Sequence, residues 1–241
     1  MTTLLATERI KLFTTRSPWW SALLALGLTI GMAVMVALNH GGNNPLRVEH
    51  SQFGIQFGLM IITVMAALAI TTEYRFATIR TTFQAVPNRS GVLLAKCVVV
   101  AVLAGVLGEI AAFGSWAVAR MIDSSPELAI STGDDLRMVA GAGLVFALAA
   151  VLSVAVGVLV RQSAGALSIL LIWPLLVENL VALIPNVGRD IQDWMPFINA
   201  GRFLNPVPEA PQSPWGSLLY FAGVTAALLI AALVVANKRD A

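Results

Sequence analysis

Chemistry in this chain has few places to reside. Two carboxylates stand inside long apolar runs, Glu109 in GEIAAFG and Glu178 in PLLVENLV. An ionisable side chain in hydrocarbon is costly, so each is a candidate for holding a cation or relaying a proton. Each could equally be protonated and hydrogen-bonded between helices. His40 and His50 flank a polar loop; a metal there would need ligands the loop does not supply, and such histidines are usually solvated. The single cysteine, Cys97, cannot form an internal disulfide and says nothing about redox compartment. The three lysines are Lys11, Lys96 and Lys238, none of them in GxxxxGK[ST]. HExxH, GxSxG and a hydrolase-like carboxylate pair are also missing. The chain is therefore expected to be non-catalytic, without a metal or cofactor of its own. Uphill work would draw on a partner or an ion gradient.

The elements that must position these residues are membrane helices. Of 241 residues, 58% are hydrophobic and only 12% charged, about half the roughly 25% charge of a soluble domain. Mean hydropathy is +0.82. The apolar residues come in runs of about 20, the length that crosses a bilayer as helix. This predicts an all-α membrane protein with one membrane domain. The pI near 9.0 does not imply nucleic acid, because the basic residues sit in loops beside spans, where they set orientation. Sixteen residues, Glu8 among them, precede the first apolar run, and that run is too long for the core of a cleavable signal.

Residues 3–15 read as an amphipathic helix. At about 100° per residue, Leu5, Ala6, Ile10, Leu12 and Phe13 fall on one side and Thr7, Glu8, Lys11, Thr14 and Thr15 on the other. Arg9 interrupts the apolar face and would snorkel, and such a helix lies in the interface. Ser17-Pro18 reads as cap and first helical residue of a span over 18–38. Trp19 and Trp20 would anchor it, and Gly27 and Gly31 permit a close helix approach. After a polar loop, 39–51, a second span covers 53–72. Gln52, Gln56 and Thr63 fall within about 40° of one another on it; amides do not face lipid, so this stripe is packing glue or the lining of a substrate path.

Between the second and third runs lies EYRFATIRTTFQAVPNRSGVLLAK, residues 73–96, the longest basic stretch between two apolar runs. It carries Arg75, Arg80, Arg89 and Lys96 against one acid, Glu73. Residues 73–85 contain no breaker, and Phe76, Ile79 and Phe83 would form one apolar edge beside Arg75 and Arg80. That edge would dock into a partner or lie on the membrane. Pro87-Asn88 makes a turn, and Ser90 can cap a third span over 91–119.

The rest continues the pattern. An acidic loop, 120–135, precedes a fourth span over 136–160, capped by Asp134 or Asp135. A tight turn at Arg161 leads to a fifth span, 164–184, which Trp173-Pro174 should kink. Ser168, Leu175 and Asn179 share a face of it. Residues 185–214 are too apolar for a solvated loop and too broken for a span, which predicts re-entrant or interfacial helices before a sixth span over 215–236. Ten Lys and Arg belong to the side with both termini, the 73–96 stretch and Arg161, and five to the other side. The termini are therefore expected in the cytoplasm.

The order of parts resembles the membrane subunit of type-2 ABC transporters, the permeases of ABC exporters. ATERIKLFTTRSPWW resembles the actinobacterial form, in which a Glu, a Lys-Leu pair and an Arg-Ser precede one or two Trp. Glu73-Tyr74-Arg75, then Thr78-Ile79-Arg80, then Pro87-Asn88-Arg89, then Lys96 at the next span, resembles the most recognisable segment of that family. The likeness is specific over 1–20 and 71–96 and architectural elsewhere, and a polar extracellular domain is lacking. It implies six spans behind an interfacial elbow helix (1–16), a six-span domain over 17–236 and a cytoplasmic tail over 237–241. It implies that 73–90 is a coupling segment docking on a separate ATP-binding subunit, which binds the ATP and Mg. The expected contacts are Arg75, Phe76, Ile79, Arg80, Phe83, Gln84, Arg89 and Arg161. Two ATPases, a second identical or different permease copy and the lipid bilayer are the implied partners. The expected work is export of a hydrophobic or amphipathic cargo across the plasma membrane, along a path lined by Gln52, Gln56, Thr63, Ser168, Leu175, Asn179, Glu109 and Glu178. A secondary transporter or channel using Glu109 and Glu178, and a membrane anchor of an envelope complex, are the rival readings.

Overall fold

The computed structural model describes residues 2–40, 45–207 and 210–238. It is 83% helical, with no strand among the described residues. The helices are α1 (Thr2–Thr14), α2 (Ser17–Asn39), α3 (Val48–Ser51), α4 (Ile55–Arg75), α5 (Thr78–Ala85), α6 (Arg89–Ile122), α7 (Gly133–Ala140), α8 (Ala142–Val160), α9 (Ser163–Ile172), α10 (Glu178–Val181), α11 (Gly188–Gln192), α12 (Pro196–Leu204) and α13 (Pro214–Lys238). Among the described residues, six helical segments are long and apolar enough to cross a membrane: Ser17–Asn39, Val48–Arg75, Arg89–Ile122, Gly133–Val160, Ser163–Val181 and Pro214–Lys238. The chain is a multi-pass membrane protein.

α8 is the axis of the bundle. Its sequence, AGLVFALAAVLSVAVGVLV, is apolar on every side, the composition of a helix with no solvent face. It packs against α4, α6 and α13, while α2 closes over α4 and α6, and α9 over α4 and α8. Both ends of the described chain lie at one end of the bundle. There Arg89 Nη1 donates to the Ala236 carbonyl at 3.0 Å, Asn237 Nδ2 to Ser90 Oγ at 2.8 Å and Ser163 Oγ to Thr71 Oγ1 at 3.0 Å. At the opposite end, Trp116 Nε1 donates to the Leu128 carbonyl, Arg137 Nε to the Phe203 carbonyl and Tyr220 Oη to the Trp194 carbonyl. Residues 185–207 fold back on that end, where the buried Phe197, Ala200, Phe203 and Leu204 of α12 pack toward α13 and α7.

Several local expectations are corrected. Span three runs 34 residues, Arg89–Ile122, about 51 Å at 1.5 Å per residue, and outreaches the roughly 30 Å hydrocarbon core. Its cap is Asn88, whose Oδ1 accepts from Gly91 N–H at 2.9 Å, rather than Ser90. Ser17 lies inside α2 rather than capping it. Thr132, not an aspartate, caps α7, in a reciprocal pair with Asp135. Span two is interrupted at residues 52–54, between α3 and α4. In span five, Pro174 has no N–H to continue the ladder, and the chain passes through a π-helical turn, Trp173–Val177. Asn179 Nδ2 donates back to the Pro174 and Leu175 carbonyls at 3.2 and 3.1 Å.

Close helix approach occurs at other glycines than Gly27 and Gly31. A Cβ on either of those would meet nothing within 4 Å, so they face away from the bundle. A Cβ on Gly54 would stand 2.4 Å from the Thr29 carbonyl oxygen, and one on Gly108 would stand 2.8 Å from Phe146 Cγ and 3.1 Å from Gly143 Cα. At these crossings backbone meets a neighbour with no room for a methyl group, and overpacking there costs about 1–3 kcal/mol. Gly108→Ala is expected to destabilise the protein by that amount and Gly31→Ala to leave stability unchanged, as read by thermal unfolding in lipid nanodiscs.

A buried charge ring beside an amphipathic cavity

Four charged side chains meet at the end of the bundle that carries the termini. α1 supplies Glu8 and Lys11, one turn apart. α4 supplies Glu73 two residues before its end, and α6 supplies Lys96 from its third turn. Lys11 Nζ donates to Glu8 Oε1 at 2.9 Å and approaches Glu73 Oε1 at 3.4 Å. Lys96 Nζ donates to Glu73 Oε1 at 2.9 Å and pairs with Glu8 Oε2. The four contacts close a ring in which each acid touches both lysines and the net charge is zero. Glu8 and Lys96 are each 4% exposed, Glu73 12% and Lys11 34%. Lys11 also donates to Thr82 Oγ1 at 3.2 Å and so reaches α5. Burial alone would lower the Lys11 ammonium, but Glu8 and Glu73 outweigh it and hold the group above its ordinary value.

The ring draws part of the polar side of α1 inward. Glu8 and Lys11 point into the bundle beside Leu12, while Thr7, Thr14 and Thr15 of the same side stay exposed, as do Ile10, at 59%, and Phe13. Trp19 packs on Phe13 and donates to its carbonyl from Nε1 at 3.3 Å. The reason is Lys96. An ammonium in the third turn of an apolar helix needs counter-charges, and Glu73 alone has to serve Lys11 as well. Docking the polar stripe of α1 neutralises all four groups together.

The ring forms one wall of a cavity of about 530 Å³. The other walls are mainly apolar, from Leu12, Pro18, Met65, Leu68, Ala69, Val99 and Val100, with Thr72 and Thr78 among them. Glu73 Oε2 is buried and has no hydrogen-bond partner among the described residues.

The residues singled out from the sequence fall into three groups. On α5, Ile79 and Phe83 are buried in the core, so the expected exposed edge of Phe76, Ile79 and Phe83 is corrected: only Phe76 is outside, with Arg75, Arg80 and Gln84. Arg89 lies 5.4 Å over the Phe83 ring and Arg161 5.3 Å over the Tyr74 ring, both at this end of the bundle. The second-span stripe divides. Gln52 is buried and donates to the Ala112 carbonyl at 3.2 Å and to Ser51 Oγ at 2.9 Å; Thr63 is buried; Gln56 is exposed. The break at 52–54 separates Gln52 from the helix that carries Gln56 and Thr63, and on that helix only Thr63 is buried. Ser168, Leu175 and Asn179 are all exposed on the outside of span five.

The two membrane carboxylates differ in kind. Glu178 is fully buried, and its oxygens accept from Phe197 N–H at 3.0 Å and Ile198 N–H at 2.8 Å. It thereby satisfies the first free donors of α12, which no residue of α12 itself caps. Glu109 is part-buried and accepts from Gly143 N–H at 3.2 Å. His40 and His50 do come together, with ring centroids 4.9 Å apart, but no group of three metal-ligating side chains occurs among the described residues.

Sequence reasoning missed the ring. The signal that points to it is Lys96, inside an apolar run and next to Cys97, because such a lysine demands an acid from another helix. No protein-family model and no curated protein matches the chain.

Removing one partner of a buried pair leaves an uncompensated charge and costs about 3–5 kcal/mol. Glu8→Gln is expected to lose that much stability and to release α1, seen as faster hydrogen exchange over residues 2–14. Combining it with Lys96→Met should restore most of the loss, as a double-mutant cycle would record.

Proposed function

We propose that this chain is the membrane-spanning permease subunit of an ATP-driven exporter, seated in the plasma membrane with both termini in the cytoplasm. A separate ATP-binding subunit docks on α5 and supplies the ATP and Mg chemistry, and two copies of each subunit form the transporter. The cargo is hydrophobic or amphipathic.

The observation that carries this reading is the build of α5. Its apolar side, Ile79 and Phe83, is sunk into the bundle, and Lys11 ties Thr82 to α1. Its other side, with Arg80 and Gln84, is exposed beside Arg75 and Phe76. A short helix anchored on one face and basic on the other is a handle: force applied to it reaches spans two and three without the helix peeling away. Ten of the fifteen Lys and Arg belong to this side of the membrane, which supports a cytoplasmic placement. The likeness of 73–96 to the coupling segment of type-2 ABC permeases points the same way.

Arg80→Glu is expected to abolish ATP-dependent export and co-purification with the ATPase while the protein stays folded in the membrane, because Arg80 is exposed and bears no packing load. Normal export and normal association in that variant would refute the docking face.

The rival reading, ion-coupled transport, draws its support from Glu109, which is part-buried in a span. Glu178 gives it less, since both its oxygens hold backbone donors of α12. Glu178→Gln is expected to lower thermal stability and export together, and Glu109→Gln to leave ATP-dependent export intact. Collapse of the pH-gradient dependence of transport in Glu109→Gln would instead favour ion coupling.

A further inference from the structure

We infer that the cavity beside the charge ring is a binding site for a drug-sized or single-chain amphiphile with a protonated amine head. Its volume of about 530 Å³ falls within the roughly 300–1,000 Å³ of small-molecule sites and is too small for a two-chain lipid. Met65, Leu68, Ala69, Val99 and Val100 offer one side of it to a hydrocarbon tail.

The ring determines the head. Lys11 directs donors to Glu8, Glu73 and Thr82, and Lys96 directs donors to Glu8 and Glu73. The positive charges are therefore already met by carboxylates. What the ring has to spare is an acceptor, Glu73 Oε2, buried without a hydrogen-bond partner among the described residues. Glu73 Oε2 is closed off from solvent, so an entering ammonium supplies that donor by drawing the carboxylate toward the cavity, through a charge-assisted bond. An anionic head would find at most the third N–H of Lys96, flanked by two carboxylates. A neutral hydroxyl could donate, but without the charge that strengthens the bond.

The site adjoins the anchoring of α5. A head that draws Glu73 toward itself loosens Glu73 from Lys11 and Lys96, the contacts that join α4 to α1 and α6. As a cargo site the cavity rests on the transport reading above; as a binding site it stands on its own geometry.

The experiment uses the full chain in phosphatidylcholine nanodiscs and compares dodecylamine, dodecyl phosphate and dodecanol by equilibrium binding. Dodecylamine is expected to bind saturably and at least about tenfold tighter than the other two. Ala69→Phe and Val99→Phe, which fill the cavity from α4 and from α6, should each weaken it by at least about tenfold at an unchanged melting temperature. Glu73→Gln should erase the preference for the amine. Equal binding of the three probes, or full binding to both filled variants, would overturn the site. Loss of dodecylamine binding in phosphatidylethanolamine nanodiscs would assign the cavity to a lipid headgroup and overturn the small amphiphile. Amine-selective, Ala69-sensitive binding without ATP-dependent export would support the site and remove the transport reading.

Discussion

A lysine cannot be left alone inside an apolar helix bundle, and much of the architecture at one end of this protein answers that constraint. Lys96 lies in the third turn of α6, almost fully buried. A single carboxylate would neutralise it, but Glu73 must also serve Lys11, so Glu8 completes the set. The outcome is that α1 docks by its charged stripe, α4 and α6 are held in register where their loop leaves the bundle, and Thr82 of α5 is drawn to the same point. A ring of this kind contributes less to net stability than its distances suggest, because desolvation offsets most of the attraction. What it supplies is specificity: any rearrangement that separates one member leaves a buried charge.

The centre of the bundle is held differently. Lipid is as apolar as leucine, so burial of hydrocarbon gives these helices little reason to associate. Contact comes instead from small residues that let backbones approach. Gly54 meets the Thr29 carbonyl, Gly108 meets Phe146 and Gly143, and Gly157 meets Ile70. The Glu178 carboxylate does comparable work at the opposite end, tying span five to the start of α12. The described residues thus form a glycine-packed middle with a carboxylate fastening toward each end, beside the other hydrogen bonds there. The fastening at the terminal end lines a cavity, and the other is closed by backbone donors. That difference is why a ligand is proposed at the first and a structural role is given to Glu178.

On the proposed reading, the same geometry explains how a small chain could receive mechanical work. α5 has too short a hydrophobic edge to hold itself in place, and Lys11 and the cation–π contact of Arg89 with Phe83 add the missing attachment. Its outer residues are left to a partner. A cargo amine near Glu73 would then compete for the acid that helps hold the handle, so occupancy and coupling would share one set of contacts.

The sequence by itself determined the class of the protein and the number of spans. Runs of about 20 apolar residues exceed what a soluble fold buries, and each run stands as one of the six membrane-length helices of the structure. The helical character of residues 3–15 and of most of 73–85 was equally legible, because both keep a period of 3.6, but the chain turns between α4 and α5, where Ala77 takes a left-handed φ of 55°. What the sequence could not determine was which way those helices face. A helical wheel ranks the faces by polarity and assumes that the polar one seeks water. In α1 that assumption failed for Glu8 and Lys11, which turned inward because Lys96 and Glu73 lay there; in α5 the polar side did stay outside, but Ile79 and Phe83 were taken up by the bundle rather than left for a partner or the membrane. The same limit applies to Gln52, Gln56 and Thr63, of which only Gln52 and Thr63 are buried, and to Gly27 and Gly31, whose spacing is that of a packing motif but whose face is bare. Periodicity along a chain is a local property. The partner that a face meets is set by the other helices, and only the tertiary structure decided it.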